Sequence, residues 1–380
     1  LRDALKKLAK TKKMDKNLKD EIAGLDRVGF DTSGVTKRSG SFLITNDQTT
    51  TSESKEEELV VMPLAFGMDI YDWIKDLRFS LVDRNKDEYT KVVSSKKKII
   101  GSFIYVKKGA KIKEPFQSCF FLHGQGFKQV LHNIIVLEPD SELNIITGCA
   151  TGNLVSIGSH IAITEIFLKE GARLNYTMIH DWGAEAVVYP RAAMDVGKGA
   201  VLNSNYIALT KVKEIQSNPV AYIADRASVR FNSIIFGKER SKFDMGARGI
   251  LNGENANCEI ISRVASKNCR TILRAYIEGN AKNTKGHTEC NGLMLDDRSS
   301  ITAIPELQAN NIDTSLSHEA SIGKIAGEQL NYLMSRGLDE ETARALLIRG
   351  FLEKGIEGLP PSLKKKVDKL IEIAASSESV

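Results

Sequence analysis

Four stretches carry the fold: SELNIIT (141–147), ARLNYTM (172–178), AVLNSNY (200–206) and SVRFNSI (228–234). Aligned on Asn144, Asn175, Asn203 and Asn232, they recur at spacings of 31, 28 and 29 residues. Each follows a turn-forming cluster, EPDS, KEGA, GKGA or ADRAS. Echoes continue at NCEIIS from 257 and, less sharply, at SSITAI from 299. The runs between the turns are short, alternating and rich in Ile, Val, Thr and Tyr, as half-buried strands are. A strand-rich repeat near 30 residues signals stacked coils, because one coil cannot bury its own apolar face. A β-sandwich also has many strands, but its hairpins do not repeat one motif in register. The expected fold is mainly β: a right-handed parallel β-helix. Its aligned asparagines either build an internal amide ladder or sit at a turn.

Helical patterns flank this core. Leu1, Leu5 and Leu8 fall on one helical face, and Leu18, Ile22 and Leu25 continue a similar stripe. NDQTTTSESKEEE (46–58) reads as a loop or linker, since it has no apolar face. Residues 68–89 return to helical spacing through Ile70, Trp73, Ile74, Leu77 and Leu81. From about 320 the pattern is helical again. IAGEQLNYLMSRG ends at Gly337, a C-cap candidate. In LDEETARALLIRGF, Asp339 can cap the next helix, Glu340 and Glu341 suit its positive end, and Ala343, Leu346, Leu347 and Phe351 form the expected buried face. Pro360 and Pro361 introduce a last helix, SLKKKVDKLIEI. The expected division is 1–97, an N-terminal helical and mixed region; 98–310, the β-helix; and 311–380, a C-terminal helical region.

Bulk properties exclude several classes. A net charge of +5 in 380 residues is mild, and the lysine runs at 96–98 and 364–366 lack interleaved aromatics, so nucleic acid is not an expected partner. No apolar run approaches the roughly 20 residues that span a bilayer, and no signal peptide is evident, so no membrane partner is expected either. The cysteines, Cys119, Cys149, Cys258, Cys269 and Cys290, are odd in number and no two are closer than 11 residues. That spacing argues against a disulfide framework and a CxxC zinc knuckle, and points to a reducing cytoplasm. There is no GxxxxGK[ST] phosphate loop, no GxSxG, no HExxH and no calcium loop. HGQGFKQ (123–129) lacks the third glycine of a dinucleotide loop.

One constellation has metal-ligand chemistry. Cys290 in KGHTEC offers a soft thiolate, and SLSHEASIGKI (315–325) places His318 beside Glu319, an imidazole nitrogen beside a hard oxygen donor. Such a mixed set holds iron less firmly than four thiolates, which suits delivery better than permanent electron transfer. Neighbours in a strand point to opposite faces. His318 and Glu319 therefore serve one site only at a turn, at a strand end or across a subunit interface. His287, at an odd offset from Cys290, is at most an outer neighbour. Cys119, Cys149, Cys258 and Cys269 are expected in the core, and His123, His132, His160 and His180 in structural roles.

The stretch GHTECNGLMLDDRSSITAIPELQANNIDTSLSHEASIGKIAGEQLNYLMSRGLDEETARALLIRGF (286–351) closely resembles the C-terminal signature of the SufB/SufD family of iron–sulfur cluster assembly scaffolds. LHNIIVLEPDSELNIITGCATG (131–152) and EIFLKEGARLNYTMIHDW (165–182) resemble its core coils, so the likeness covers roughly residues 100–355. The whole is most similar to the compact archaeal-type SufB-like form. The resemblance implies a parallel β-helix that pairs as a homodimer through its end, and C-terminal helices, within 311–380, that bind a SufC-like ABC-type ATPase. It implies a transient iron–sulfur cluster built on the residues matching Cys290, His318 and Glu319, then passed to recipient apo iron–sulfur proteins. The chain would be a scaffold, with the ATPase activity in its partner. In bacterial SufB the strand matching YPRAAMDVGKG (189–199) carries a cysteine that accepts persulfide sulfur; here that position is Met194, and a thioether cannot do so. Two alternatives stand beside this reading. One is a SufD-like partner of the ATPase without its own cluster, against which Glu319 speaks. The other is a β-helix carbohydrate-active enzyme, which needs a carboxylate groove and does not need Cys290.

Overall fold

A computed structural model describes residues 16–354, 367–369 and 371–372. The chain coils into a flattened parallel β-helix in which each coil gives one strand to each of two facing sheets. The first sheet runs Gln48–Ser54, Gly40–Thr45, Phe116–Leu122, Glu142–Thr151, Arg173–Asp181, Val201–Ala208, Ser228–Lys238, Asn257–Lys267, Lys285–Met294 and Ser315–Lys324. The second runs from Leu59–Pro63 and Ser102–Val106 through Phe127–Leu137, Gly158–Leu168, Val187–Val196, the split pair Glu214–Ser217 and Val220–Ile223, Lys242–Leu251 and Arg270–Gly279 to Ser300–Ala309. Pairing is parallel throughout, apart from the strands that open each sheet, Gln48–Ser54 and Leu59–Pro63, which run antiparallel.

The turn clusters explain the coil. Asp140, Gly171, Gly199, Arg226, Asn255 and Asn283 each adopt a positive φ, between 56° and 68°, at the same corner of successive coils. In that conformation the backbone N–H of one coil reaches the next. Asp140 donates to Glu170 O, Gly171 to Lys198 O, Gly199 to Asp225 O, Arg226 to Glu254 O and Asn255 to Lys282 O, at 2.9–3.0 Å except for 2.8 Å at Gly199. Glycine, asparagine and aspartate tolerate this left-handed region most readily; Arg226 shows that the coil imposes it on a residue that does not.

Alternation within each strand separates lumen from exterior. Leu202, Phe231, Ile260, Phe243, Met245, Leu273 and Ile277 point between the sheets into the main core. The asparagine ladder exists but on the outer, half-buried face. Asn175 Nδ2 donates to Asn144 Oδ1 (2.6 Å) and Asn203 Nδ2 to Asn175 Oδ1 (2.8 Å). Asn232 then pairs with Asn205 (2.9 Å), while Asn203 faces Arg230, so the fourth repeat is two residues out of the expected phase. NCEIIS continues the first sheet, whereas SSITAI belongs to the second.

Both outer faces are partly covered. Over the first sheet lie the helix Lys16–Ala23, the 3-10 turn Gly24–Val28 and the helix Glu340–Glu353. Leu25, Val28, Phe30, Ile348 and Leu352 pack there with Ile146, Ile179, Ile207, Ile234 and Phe236. Val367 and Ile371, in described helical residues, join this cluster; the rest of the last expected helix and Leu1, Leu5 and Leu8 lie outside the described residues. Asp339 caps Glu340–Glu353 by accepting from Thr342 N (2.8 Å), and Gly337 (φ 97°) ends Gly327–Ser335. The buried side of the former is Ala343, Ile348 and Leu352, while Leu346 is exposed, because the helix meets a flat sheet along a narrow line.

Two segments depart from expectation. Residues 46–58 include the strand Gln48–Ser54, which pairs with Gly40–Thr45 around Asn46 (φ 57°). Its threonines suit an edge strand whose polar side chains meet water. Residues 68–89 break into Leu64–Ile70 and Trp73–Leu77, with Tyr71 extended between them, followed by turns. Those turns are held from afar: the buried Glu165 carboxylate accepts from the backbone N–H of Phe79 (2.7 Å), Leu81 (2.7 Å) and Val82 (3.1 Å), and contacts His132 Nε2 (2.7 Å). The coil stack continues past residue 310 through Ser315–Lys324, beyond the 98–310 span expected of it.

Candidate metal site at the open end

Cys290 lies on Lys285–Met294 and His318 and Glu319 on Ser315–Lys324, the last two strands of the first sheet. Their register pairs Thr288 with His318, Glu289 with Glu319 and Cys290 with Ala320. In Lys285–Met294 the buried positions are Gly286, Thr288, Cys290 and Gly292, so these face the lumen. His318 falls on that same inner face. Glu319, one residue on, falls on the outer face beside Glu289. The strand is regular here, so within one chain the two side chains diverge, and neither makes a hydrogen bond or ion pair among the described residues. Among the described residues no three of His, Cys, Asp and Glu gather closely enough to hold a metal.

Cys290 is 1 % exposed and belongs to the main core. Burial, and secondarily the neighbouring Glu289 carboxylate, push its thiol up to about 11. At neutral pH it is therefore protonated, and it must lose that proton to ligate a metal. On the outer face Glu289 is held by Arg263 and Asn291, and the Arg263 guanidinium also stands 5.8 Å from the centre of the Phe351 ring. The C-terminal helix Glu340–Glu353 thus contacts Asn257–Lys267, and through Arg263 it reaches Glu289 on the strand that carries Cys290. His287 Nδ1 lies 2.9 Å from Ser317 Oγ on that outer face, away from Cys290.

This end of the solenoid is unfinished. No strand pairs beyond Ser315–Lys324 or Ser300–Ala309 among the described residues. Residues that continue fully buried columns are open here: Leu307 is 37 % exposed where its register neighbour Ile277 is buried, and Ile322 is 38 % exposed next to buried Gly292. Free edge N–H and C=O groups and a cut apolar core are features that natural folds cap or cover.

The remaining cysteines are buried in the fold, and His123, His132, His160 and His180 are hydrogen-bonded within it. All five cysteines are buried and unpaired, and burial raises the thiols of Cys119, Cys149, Cys258 and Cys269. His123 meets Glu21, and His160 meets Gln129; Trp182 Nε1 donates to His180 Nδ1 (3.0 Å), with the Tyr206 hydroxyl 2.8 Å from the same nitrogen. Met194 is buried on the lumen side of Val187–Val196, beside Ile166 and Ala221. Sequence reasoning missed the hydroxyls of the lumen. Ser233 Oγ donates to Ser262 Oγ (2.9 Å) at the wall of a cavity of about 30 Å³, and Ser262 is the register neighbour of Cys290. Only the paired-strand register, not the linear sequence, reveals that adjacency.

Residues 120–351 match the family described as SUF system FeS cluster assembly, SufBD core domain. An iron–sulfur cluster assembly SufBD family protein of Archaeoglobus fulgidus is 42 % identical over 355 residues, covering 92 % of this chain and 95 % of the relative. One of Methanothermobacter thermautotrophicus is 39 % identical over 353 residues, covering 92 % and 86 %. One of Pyrococcus horikoshii is 33 % identical over 277 residues, covering 73 % and 62 %.

Proposed function

This chain belongs to the SufBD family of iron–sulfur cluster assembly proteins, and on that premise we propose that it is a scaffold that builds a transient cluster on Cys290, His318 and Glu319. The cluster is cargo, passed to recipient apo-proteins. The observation that carries the reading is the open end: a buried thiol and an inward imidazole lie beside two unpaired sheet edges. A second copy closes that end about a two-fold axis, and a two-fold interface presents every ligand twice. Glu319, which turns away from Cys290 in its own chain, then becomes available to the site of the joined pair.

A SufC-like ABC-type ATPase docks on the C-terminal region, within 311–380. There the helix Gly327–Ser335 buries none of its residues and exposes Tyr332 and Met334. The sequence has no phosphate loop, which agrees with an ATPase on a separate chain. Helix Glu340–Glu353, through Phe351 and Arg263, gives that partner a mechanical hold on the Glu289 strand. Unpaired thiols favour work in a reducing cytoplasm. No helix among the described residues is long and apolar enough to cross a membrane. Met194 supplies no thiol to accept persulfide sulfur, so sulfur enters the site directly as free sulfide. A preference for a desulfurase over free sulfide in an anaerobic assembly assay would sink that last point.

The experiment is anaerobic reconstitution with ferrous iron and sulfide, followed by absorbance and Mössbauer spectra. Wild type forms a cluster and Cys290→Ala does not, with His318→Ala and Glu319→Ala weakened. Equal clusters in wild type and Cys290→Ala would overturn the assignment. No cluster in either would favour a partner subunit without its own cargo.

A further inference from the structure

The solenoid pairs its buried hydroxyls across coils. Ser118 meets Thr147 (2.7 Å), Ser233 meets Ser262 (2.9 Å) and Thr284 meets Thr314 (2.9 Å). Among the described residues two hydroxyl oxygens wholly shut off from the surface have no partner, those of Ser39 and Thr288. Ser39 precedes the first strands, at the far end of the stack. Thr288 is 0 % exposed, lies two residues before Cys290 on the same inner face, and stands opposite His318 on the next strand. Its neighbour on the other side is Ile260, which offers nothing to bond. An unmade buried hydrogen bond is costly, because the group gives up its water and gains nothing in return. The fold tolerates that cost at the one lumen position between two candidate ligands.

We propose that Thr288 is a positioning residue for the cluster, its hydroxyl donating to sulfur once cargo is bound. This inference rests on the Cys290–His318 site proposed above. The acceptor is a bridging sulfide or the Cys290 thiolate, and the interaction is the same O–H···S bond in either case. Hydrogen bonds to cluster sulfur tune the reduction potential, and they hold a labile cluster without adding a permanent ligand. The hydroxyl is unsatisfied in the empty protein and satisfied in the loaded one, so it favours the loaded state.

The test uses full-length Thr288→Val, Thr288→Ser and Cys290→Ala, each reconstituted anaerobically with ferrous iron and sulfide. Valine keeps the shape of threonine and removes the donor. Without cluster, Thr288→Val melts at or above the wild-type temperature, because no bond is lost. Loaded, it shows a more negative reduction potential and several-fold faster loss of iron to a chelator. It also loses the deuterium-sensitive shift of the iron–sulfur Raman bands. Serine restores all three. A Thr288→Val cluster that matches wild type in potential and deuterium response overturns the proposal, as does a lowered melting temperature of the empty variant. If Cys290→Ala keeps its cluster, or wild type takes none up, the parent site falls and this inference with it. A silent Thr288→Val beside a clusterless Cys290→Ala overturns this inference alone.

Discussion

The two ends of the solenoid are built differently. At the start, Gln48–Ser54 and Leu59–Pro63 run antiparallel to the coils and close both sheets, with the Ser52 hydroxyl donating across to Val61 O (3.3 Å). Phe42 and Ile44 are buried beneath them, together with Leu59 and Val61 of the second closing strand itself. At the other end both sheets stop on parallel strands, and Leu307 and Ile322 are open. One end carries closing strands of the kind a repeat protein needs at its terminus; the other has a core cut through and open to water. The candidate ligands sit at the cut end. The difference locates the proposed assembly chemistry at a surface that the fold itself leaves incomplete.

The largest effect should separate the ends by stability. Phe42→Ala, under the cap, is expected to cost about 3–5 kcal/mol. Leu307→Ala, at the open end, should change the unfolding of a monomer far less and loosen self-association instead. Urea melts at two protein concentrations distinguish these outcomes, and equal losses would erase the contrast.

Acid should attack the lumen next. Burial lowers His160 and His180 to about 3, so both stay neutral when folded. The unfolded chain binds these protons near pH 6.5, and the stability present above that pH is lost as pH falls toward 3. Each histidine contributes up to several kcal/mol, because every tenfold loss of proton affinity on folding is worth about 1.4 kcal/mol. Trp182, against both rings (4.9 and 5.6 Å), reports the transition by fluorescence. A flat stability curve between pH 6.5 and 4 would contradict this burial.

A charge at the cut should act on association alone. Ile322→Lys places an ammonium in the open core, and sedimentation should show monomers with an unchanged melting temperature. A dimer that survives it joins elsewhere. The smallest effect concerns Cys290. With its thiol near 11, alkylation at pH 7 should be slow, rising about tenfold per pH unit until that value is reached. Fast labelling at pH 7, with Cys290→Ala as the blank, would mean an activated thiolate.

Much of this was legible in the sequence, for physical reasons. Turn clusters announce coils because a left-handed corner residue must recur in each. Strand alternation correctly separates His318 from Glu319. The asparagine phase slipped because Asn203 and Asn205 lie on the same face, and only pairing decides which one meets Asn232. The 68–89 segment misled because Glu165, far along the chain, captures its backbone donors. The hydroxyl of Thr288 was invisible: an unmade bond is a property of neighbours, and Ile260 and His318 become neighbours only when coils stack.

The central claim is that two copies joined at the open end complete each other's assembly sites. Mixing Cys290→Ala with Glu319→Ala before anaerobic reconstitution tests it most directly. If Glu319 crosses the two-fold to the Cys290 and His318 of the other copy, each mixed dimer regains one intact site, and the mixture holds more cluster than the mean of the two variants alone. If all three ligands must come from one chain, the mixture only equals that mean. No such gain, in a mixture shown by sedimentation to contain mixed dimers, would contradict the account.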